Sequence, residues 1–119
     1  MQIRNFIYIG IAIFLSACAM QPKHTSFGDL VKAEEAKLNE LVEAYFDEQL
    51  VLSPLSATFL GDNRFNDRLA ISISPEYQAE FKALEEKYLA RVSKLDEGLM
   101  TGQARLTYDV FIYNREISL

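Results

Sequence analysis

Hydrophobic residues recur every three or four positions along three stretches of the chain, which is the spacing of amphipathic α-helices. The stretches run from Asp29 to Leu52, from Ser74 onward, and from about Gln103 to the last residue. We predict an all-α fold: two long antiparallel helices joined by a short helix and a polar corner, then a third helix truncated at the carboxyl terminus. The expected core positions are Val31, Leu38, Leu41, Val42, Tyr45 and Leu52; Tyr77, Phe81, Leu84, Tyr88, Val92, Leu95 and Leu99; and Leu106, Val110, Tyr113 and Ile117, with Phe111 off this last stripe.

The corner between the two long helices has its own local signals. Ser53 is expected to cap a short helix and Pro54 to open it, because proline lacks only an N–H that would be unpaired in a first helical turn. Gly61 then supplies a helix stop. Beyond it, large and small side chains alternate, which predicts an extended connector whose apolar side chains lie on the helices. These side chains are Leu69, Ile71 and Ile73.

Polar residues mark the expected starts and exposed faces of the helices. Ser26 or Asp29 is the expected N-cap of the first long helix, Ser74 that of the second, and Thr101 that of the third. Acidic pairs occur within both long helices, and we interpret them as solubilising charge on exposed faces. The pairs are Glu34-Glu35 and Glu85-Glu86.

Residues 1–17 have the pattern of a bacterial secretory signal. Arg4 is their only charge, and the apolar run Phe6 to Leu15 is too short to cross a bilayer as a helix. Leu15-Ser16-Ala17-Cys18 resembles a lipobox, in which cleavage before the cysteine accompanies its acylation. A plain signal peptide cut elsewhere and a membrane anchor with a buried cysteine are the alternatives. The predicted organisation is a signal peptide over 1–17, acylated Cys18 with a flexible tether over 18–28, and a helical domain over 29–119.

An acylated cysteine would hold the protein on a membrane of the bacterial cell envelope. Each buried methylene of an acyl chain contributes about 0.8 kcal/mol, so two or three chains anchor a protein stably. Ala19 follows Cys18, where some bacterial lipoproteins carry an aspartate that retains them in the inner membrane. If the source has two membranes, this resemblance favours the outer membrane, with the protein facing the periplasm.

The charge balance of the chain is acidic, with 12 lysine and arginine residues against 17 aspartate and glutamate residues. Nucleic-acid binding needs clustered cations that neutralise phosphates, so we expect no nucleic-acid partner. A single cysteine leaves no pair for an internal disulfide. His24 is the only histidine and has no metal-ligating neighbours in the tether, so we expect no metal or other cofactor site in this chain.

The loop after the corner combines charged side chains with an aromatic one. Asp62, Arg64, Phe65 and Asp67 form a candidate substrate-cleft loop, because loops supply binding residues disproportionately often. Turn chemistry is the competing interpretation, in which Arg64 and Arg68 pair with the acids and Phe65 packs on the helices. An EF-hand calcium loop does not fit, since its sixth position, counted from Asp62, holds Asp67 instead of glycine.

The corner also resembles a known family. The run Pro54-Leu55-Ser56-Ala57-Thr58-Phe59-Leu60-Gly61-Asp62, followed by Arg64-Phe65, Leu69 and Ser74-Pro75-Glu76, is similar to the amino-terminal region of the bacterial "domain of unknown function 885" proteins. Many of these are lipoproteins, and the family resembles zinc peptidases of the His-Glu-x-x-His type. The similarity extends from roughly Leu38 to the last residue. Asn63 departs from the histidine that the family more often carries after Gly-Asp.

This resemblance implies that the chain is the amino-terminal helical segment of a lipid-anchored, metallopeptidase-like hydrolase. The zinc, the catalytic glutamate and the two histidines would lie in a carboxyl-terminal catalytic region beyond this sequence, and a peptide would be the substrate. The chain alone is expected to be non-catalytic. In the complete enzyme, its helices would help to wall the substrate cleft.

A stand-alone envelope lipoprotein is the alternative interpretation. In that case the helices would form a binding or structural module that docks on another envelope protein. The two interpretations differ in the apolar surface that they predict: a stand-alone module should bury Tyr113 and Ile117, whereas a segment of a larger protein should leave a wide apolar patch exposed.

Overall fold

The computed structural model describes residues 25–119, which contain four α-helices and no strand. The predicted all-α class is therefore confirmed. Two single-turn 3-10 helices, Asn63–Phe65 and Glu97–Leu99, lie between the longer elements. The α-helices are α1 (Phe27–Leu52), α2 (Pro54–Phe59), α3 (Pro75–Val92) and α4 (Gly102–Ser118).

A reciprocal capping box begins α1. The Ser26 hydroxyl accepts a hydrogen bond from the backbone N–H of Asp29 at 3.2 Å, and the Asp29 carboxylate accepts one from the backbone N–H of Ser26 at 3.0 Å. These bonds pair two groups that a helix start otherwise leaves without partners. Ser26 is thus the N-cap, and α1 begins at Phe27, two residues before the predicted domain boundary at 29.

The corner forms as a short helix, but its start is not capped as predicted. Pro54 is the first residue of α2, whereas the Ser53 hydroxyl makes no capping bond and lies 2.7 Å from the Ser56 hydroxyl. Gly61 follows α2 with a φ of +81°, a left-handed conformation that glycine adopts without a steric penalty. The predicted helix stop at Gly61 is confirmed.

The apolar side chains of the connector are not buried against the helices, so that part of the prediction is wrong. Leu69, Ile71 and Ile73 are 82%, 66% and 89% exposed. A turn closed by the Ser74 N–H on the Ile71 carbonyl, at 2.9 Å, redirects the chain into α3. Because a turn interrupts the two-residue alternation of an extended strand, these side chains do not share one packed face.

Helices α1 and α3 run antiparallel. Near the start of α1, the Glu34 carboxylate accepts a hydrogen bond from the backbone N–H of Asp96, beyond the end of α3. Further along α1, the Tyr45 hydroxyl bonds to Glu85 in the middle of α3. The core lies between these helices and α4; its buried apolar side chains are Leu38, Leu41, Tyr45, Leu84, Tyr88, Val92, Met100, Tyr108 and Phe111.

Helix α3 ends earlier than its apolar pattern predicts. The pattern continues through Leu95 and Leu99, but the α-helix stops at Val92. The Ser93 hydroxyl donates to the Leu89 carbonyl at 2.7 Å, and a 3-10 turn follows, which brings Met100 into the core. Side-chain bonds of this kind compete with helical continuation, whereas the spacing of apolar residues carries no information on them.

Gly102 and Thr101 define the start of α4. Gly102 has a φ of +51° and is the first helical residue, and Thr101 occupies the predicted N-cap position. The Thr101 side chain does not cap the helix; its hydroxyl donates to the Glu35 carboxylate at 3.3 Å instead. This contact adds a link between α1 and the start of α4.

Candidate docking surface

Helix α4 packs on the α1–α3 pair through one face, which we call the inner face of α4. It consists of Tyr108, Phe111 and Arg115, all of them buried. The ring of Phe111 meets that of Tyr45 edge to face, with centroids 5.3 Å apart. Tyr45 meets Tyr88 in the same manner at 5.2 Å. Such aromatic pairs contribute about 0.5–1.5 kcal/mol beyond the burial of their surface.

A buried ion pair joins α4 to α3 at the centre of this contact. The side chain of Glu85 is fully buried, and its Oε2 forms a salt bridge with Nε of Arg115. The other oxygen, Oε1, accepts a hydrogen bond from the Tyr45 hydroxyl at 2.7 Å. The Arg115 guanidinium lies over the Tyr45 ring, 3.8 Å from its centroid. Together Tyr45, Glu85 and Arg115 connect three helices, and we call them the buried triad.

One residue of each acidic pair is buried, which corrects the expectation that these pairs lie on exposed helix faces. Glu34 and Glu85 are buried, so these residues are not the exposed solubilising charge that the sequence analysis expected. Each has a partner that compensates its removal from water: Lys37 Nζ lies 2.6 Å from Glu34, and Arg115 contacts Glu85. The hydrogen bond from Lys37, together with that from the Asp96 N–H, lowers the pKa of Glu34.

Burial has a second electrostatic effect, on Tyr45. Desolvation first, and then the hydrogen bond to Glu85, raise the pKa of the Tyr45 phenol above its ordinary value of 10.0. The phenol therefore stays protonated and continues to donate to the carboxylate in conditions where an exposed tyrosine ionises.

The variant Tyr45→Phe tests this coupling. At neutral pH we expect it to lose about 1–3 kcal/mol of unfolding free energy, because Glu85 loses a buried donor. Above the ordinary tyrosine pKa, Tyr45 keeps its proton in the folded chain but releases it in the unfolded chain. The free energy of unfolding therefore falls by about 1.4 kcal/mol per pH unit until the pH reaches the pKa of Tyr45 in the folded chain. The variant lacks this group, so its stability should fall less steeply with pH. Urea unfolding at neutral and alkaline pH measures both effects, and the exposed Tyr113→Phe is the control.

A second apolar face lies on the opposite side of α4, and we call it the outer face of α4. Its residues are spaced by four, three and four positions, and they are all largely exposed: Leu106 56%, Val110 48%, Tyr113 61% and Ile117 63%. At about 100° per residue, Leu106 and Tyr108 lie about 160° apart around the helix axis. The outer and inner faces are therefore nearly opposed.

This arrangement reverses the sequence prediction for the third helix. The stripe Leu106, Val110, Tyr113 and Ile117 was expected to pack, with Phe111 off it; in the structure the stripe is exposed and Phe111 is buried. The physical reason is that α4 is apolar on both sides. The side with Phe111 also carries Arg115, which matches the buried charge of Glu85, so that side faces the other helices.

The edges of the outer face differ in charge. Asp109 and Glu116 lie along one edge, and Thr107 and Asn114 lie along the other. Asp109 pairs with Arg105 at 3.0 Å, whereas Glu116 makes no ion pair with any residue that the structure describes. Glu116 is thus the uncompensated carboxylate of the first edge, and the second edge is neutral.

The candidate substrate-cleft loop is held together by its own charges. The Asp62 carboxylate accepts hydrogen bonds from the Arg64 guanidinium at 2.8 Å and from the Arg64 backbone N–H at 3.0 Å, and both lower the pKa of Asp62. Arg64 also reaches Asp47 at 3.2 Å and lies over the Phe65 ring. Asp67 lies apart, 4.0 Å from Arg68.

The predicted pairing of Arg64 and Arg68 with loop acids is therefore confirmed. The structure brings Asp62, Arg64 and Phe65 together as a turn, whereas the side chain of Asp67 is 78% exposed and contacts Arg68. A role of the loop in substrate binding stays a prediction, because a turn of this kind forms without any ligand.

Three further sequence expectations concern membranes and metals. Cys18 and His24 lie outside the described residues. Among residues 25–119, no three histidine, cysteine, aspartate or glutamate side chains come together as a metal-binding group. Over the same range, no helix combines the length and apolar character that crossing a bilayer requires.

Two members of the buried triad, Glu85 and Arg115, were missed by sequence reasoning, although the sequence contains a signal for them. Glu85 falls between Phe81 and Tyr88 at helical spacing, so it shares their core-facing side. Arg115 stands in the same relation to Phe111. Two opposite charges on the packed faces of two helices indicate a buried ion pair, because each alone would be costly to bury.

Comparisons with protein-family models, with curated proteins and with solved structures find no match for this chain.

Proposed function

We propose that this chain is the non-catalytic helical part of a lipid-anchored protein of the bacterial cell envelope, and that a further helix covers the outer face of α4. The observation that supports the proposal is the second apolar face of α4, with four large side chains about half or more exposed. A helix with apolar residues on opposite sides is typical of the interior of a larger helical assembly. The exposed Tyr113 and Ile117 match the expectation for a segment of a larger protein.

The spacing of the outer face favours a helix as the covering element. Intervals of four, three and four residues place Val110 and Ile117 at a positions and Leu106 and Tyr113 at d positions of a heptad, the pattern that receives the side chains of a facing helix. Glu116, which has no ion-pair partner among the described residues, favours a partner helix with lysine or arginine along its adjoining edge.

A second copy of this chain fits the outer face of α4 less well than a partner helix with basic residues does. In an antiparallel pair of α4 helices, Asp109 and Glu116 would face the same acids of the other copy, which is unfavourable. A parallel pair would place them beside Thr107 and Asn114, which offer no positive charge. These considerations favour a helix that belongs to the same larger protein or to a stable complex.

The larger protein that the sequence resemblance implies is a metallopeptidase-like hydrolase. Residues 25–119 contain no set of metal-ligating side chains that would fit its zinc, so we assign no metal-dependent step to this chain. In the proposal, this segment packs against the catalytic region through the outer face of α4 and helps to form the wall of a peptide-binding cleft. The outer membrane, facing the periplasm, is the proposed location if the source has two membranes.

A small stand-alone lipoprotein that docks on another envelope protein is the second candidate. The exposure of Tyr113 and Ile117 disfavours a module that buries its own apolar surface, so this candidate requires a helix of the partner protein to cover the outer face of α4. The two candidates differ in the mass of the native product.

Immunoblotting distinguishes these candidates. An antibody raised against residues 25–119 is applied to the membrane fraction of the source cells. A band several times heavier than the 13.6 kDa chain is the result expected for the front of a hydrolase, and zinc content and peptidase activity are then measured on that product. A band no heavier than the chain would overturn the hydrolase candidate and leave the stand-alone lipoprotein.

The lipid anchor is tested separately by the variant Cys18→Ser. We expect the native chain to incorporate radioactive palmitate and to remain with membranes after a high-salt wash, because its attachment is apolar. The variant should incorporate no palmitate. Equal labelling of the variant and the native chain would contradict acylation at Cys18, and Ser16→Ala, which leaves the cysteine in place, is the matched control.

A further inference from the structure

A second apolar surface, which we call the corner groove, lies where the end of α1, the connector and the first half of α3 meet. It consists of two adjoining depressions of about 310 and 370 Å³. Val51, Leu52 and Glu80 line both of them. Leu69, Ile71 and Tyr77 add apolar surface to the first. The two depressions therefore share Val51 and Leu52 as part of a mainly apolar lining.

The corner groove is separate from the contact with α4. Glu80 lines the groove, whereas Glu85 pairs with Arg115 of α4. These two α3 residues lie five positions apart, which places them about 140° apart around the helix axis. A partner in the groove would thus approach the α1–α3 pair from another side than α4 does.

Two carboxylates without cationic partners stand along the α3 edge of the groove. Glu76 and Glu80, one helical turn apart, form no ion pair with any residue between 25 and 119. Glu48, which lines the second depression, differs because Lys87 Nζ lies 2.6 Å from it. Arg68 lines the first depression, but its guanidinium lies over the Phe65 ring and 4.0 Å from Asp67.

We propose that the corner groove binds an amphipathic helix of a partner protein, with an apolar stripe on the floor and two basic side chains, one turn apart, beside Glu76 and Glu80. The basic residues are proposed because their charge is complementary to the carboxylates of Glu76 and Glu80. A helix is the fitting conformation, because the described part of the chain has no strand edge that would satisfy the backbone of an extended peptide. From Glu76 to Lys87 the edge is roughly 16 Å long, about three helical turns. This goes beyond the proposed function, which concerns the outer face of α4.

A bilayer surface is the competing occupant for exposed apolar side chains such as Leu69, Ile71 and Ile73. The two free carboxylates disfavour it, since anionic lipid headgroups repel acidic groups and attract basic ones. A lipid surface is therefore the less favourable occupant.

The test uses two synthetic peptides of about four helical turns with the same leucine stripe. One carries two lysines at positions one turn apart beside the stripe, and the other carries glutamates there. Their binding to the full chain, held in phosphatidylcholine nanodiscs, is measured by fluorescence anisotropy with empty nanodiscs as the blank. We expect the lysine peptide to bind about tenfold more tightly, the effect of two solvent-exposed ion pairs near the upper end of their usual range.

Charge reversal locates the site. With Glu76→Lys and Glu80→Lys combined, we expect the preference to change to the glutamate peptide. The matched control, Glu40→Lys with Glu43→Lys on the exposed side of α1, changes the net charge equally and should retain the preference for lysine. Tyr113→Glu on the outer face of α4 should also leave it unchanged, which separates this proposal from the proposed function.

Three results would overturn the proposal. The first is equal affinity for the two peptides, or no binding of either, on the native chain. The second is a lysine preference that the groove reversal leaves intact. The third is binding of the chain to vesicles containing anionic phosphatidylglycerol that Leu69→Ser and Ile71→Ser abolish, which would assign the surface to lipid.

Discussion

Replacing Arg115 by methionine is expected to lower the free energy of unfolding by about 3–5 kcal/mol. The side chain of Glu85 is fully buried, and Arg115 is its cationic partner. Removal of the guanidinium leaves a carboxylate in the core with the Tyr45 hydroxyl as its remaining contact. Methionine retains much of the apolar volume of the arginine side chain. The loss of unfolding free energy therefore comes from the uncompensated charge of Glu85 more than from a cavity. Urea unfolding followed by circular dichroism measures it.

Two further variants make this expectation specific to the buried charge. Combining Arg115→Met with Glu85→Leu and Tyr45→Phe removes every polar member of the triad, and most of the lost stability should return, because apolar groups of similar volume replace a buried ion pair at little cost. Arg105→Met removes an exposed arginine, paired with Asp109, from the same helix and should cost less than about 1 kcal/mol. Equal losses for Arg115→Met and Arg105→Met would contradict the buried triad.

Truncation of Phe111 to alanine is expected to cost about 3–5 kcal/mol, comparable to the loss of other buried aromatic side chains. Phe111 is 7% exposed and its ring meets Tyr45 edge to face. The alanine variant would leave a cavity between α1 and α4 and remove the aromatic contact. The midpoint and slope of urea unfolding give the change.

The neighbouring substitution Val110→Ala is the control for the orientation of α4. Val110 is half exposed on the outer face, so its truncation should change the stability of the isolated chain by no more than about 0.5 kcal/mol. The sequence prediction, which placed Val110 in the core and Phe111 off it, requires the opposite order. A larger loss for Val110→Ala than for Phe111→Ala would therefore contradict the structure.

The helices themselves could be predicted because their signals are local. Ser26, Ser74 and Pro54 mark starts through backbone bonds or a fixed φ, and Gly61 marks a stop through a left-handed conformation. The antiparallel pairing of α1 and α3 follows from two long amphipathic patterns separated by a corner. These features depend on residues close together in the chain, which a single sequence displays directly.

The orientation of α4 could not be predicted in the same way, because it depends on a distant residue. Apolar spacing gives two stripes on this helix and does not rank them. Glu85 determines which of the two stripes packs, because its carboxylate needs a cationic partner once α1 and α3 bury it. Arg115 lies on the inner face with Phe111, so burying that face provides the partner. A prediction that places every charged residue on the surface therefore leaves out Glu85 and Arg115, the pair that determines how α4 packs.

The candidate site was predictable only in part. The exposure of Tyr113 and Ile117 is the predicted sign of an uncovered surface, but the apolar spacing of the sequence places both residues on the packed stripe. The corner groove depends on how the connector turns at Ile71 to Ser74, and this turn interrupts the strand-like alternation of Leu69, Ile71 and Ile73. Side-chain exposure at such a turn depends on the tertiary position of its ends, which local spacing does not specify.

Cysteine alkylation in native membranes shows whether the outer face of α4 is covered in the native protein. Val110→Cys and the control Glu40→Cys are compared in the purified chain in nanodiscs and in membranes of the source cells, with the native chain as the background for Cys18. In nanodiscs we predict similar rates of reaction with maleimide for Val110→Cys and Glu40→Cys. In native membranes we predict a much lower rate for Val110→Cys and an unchanged rate for Glu40→Cys. Equal reactivity of both variants in native membranes would contradict the docking function of this surface.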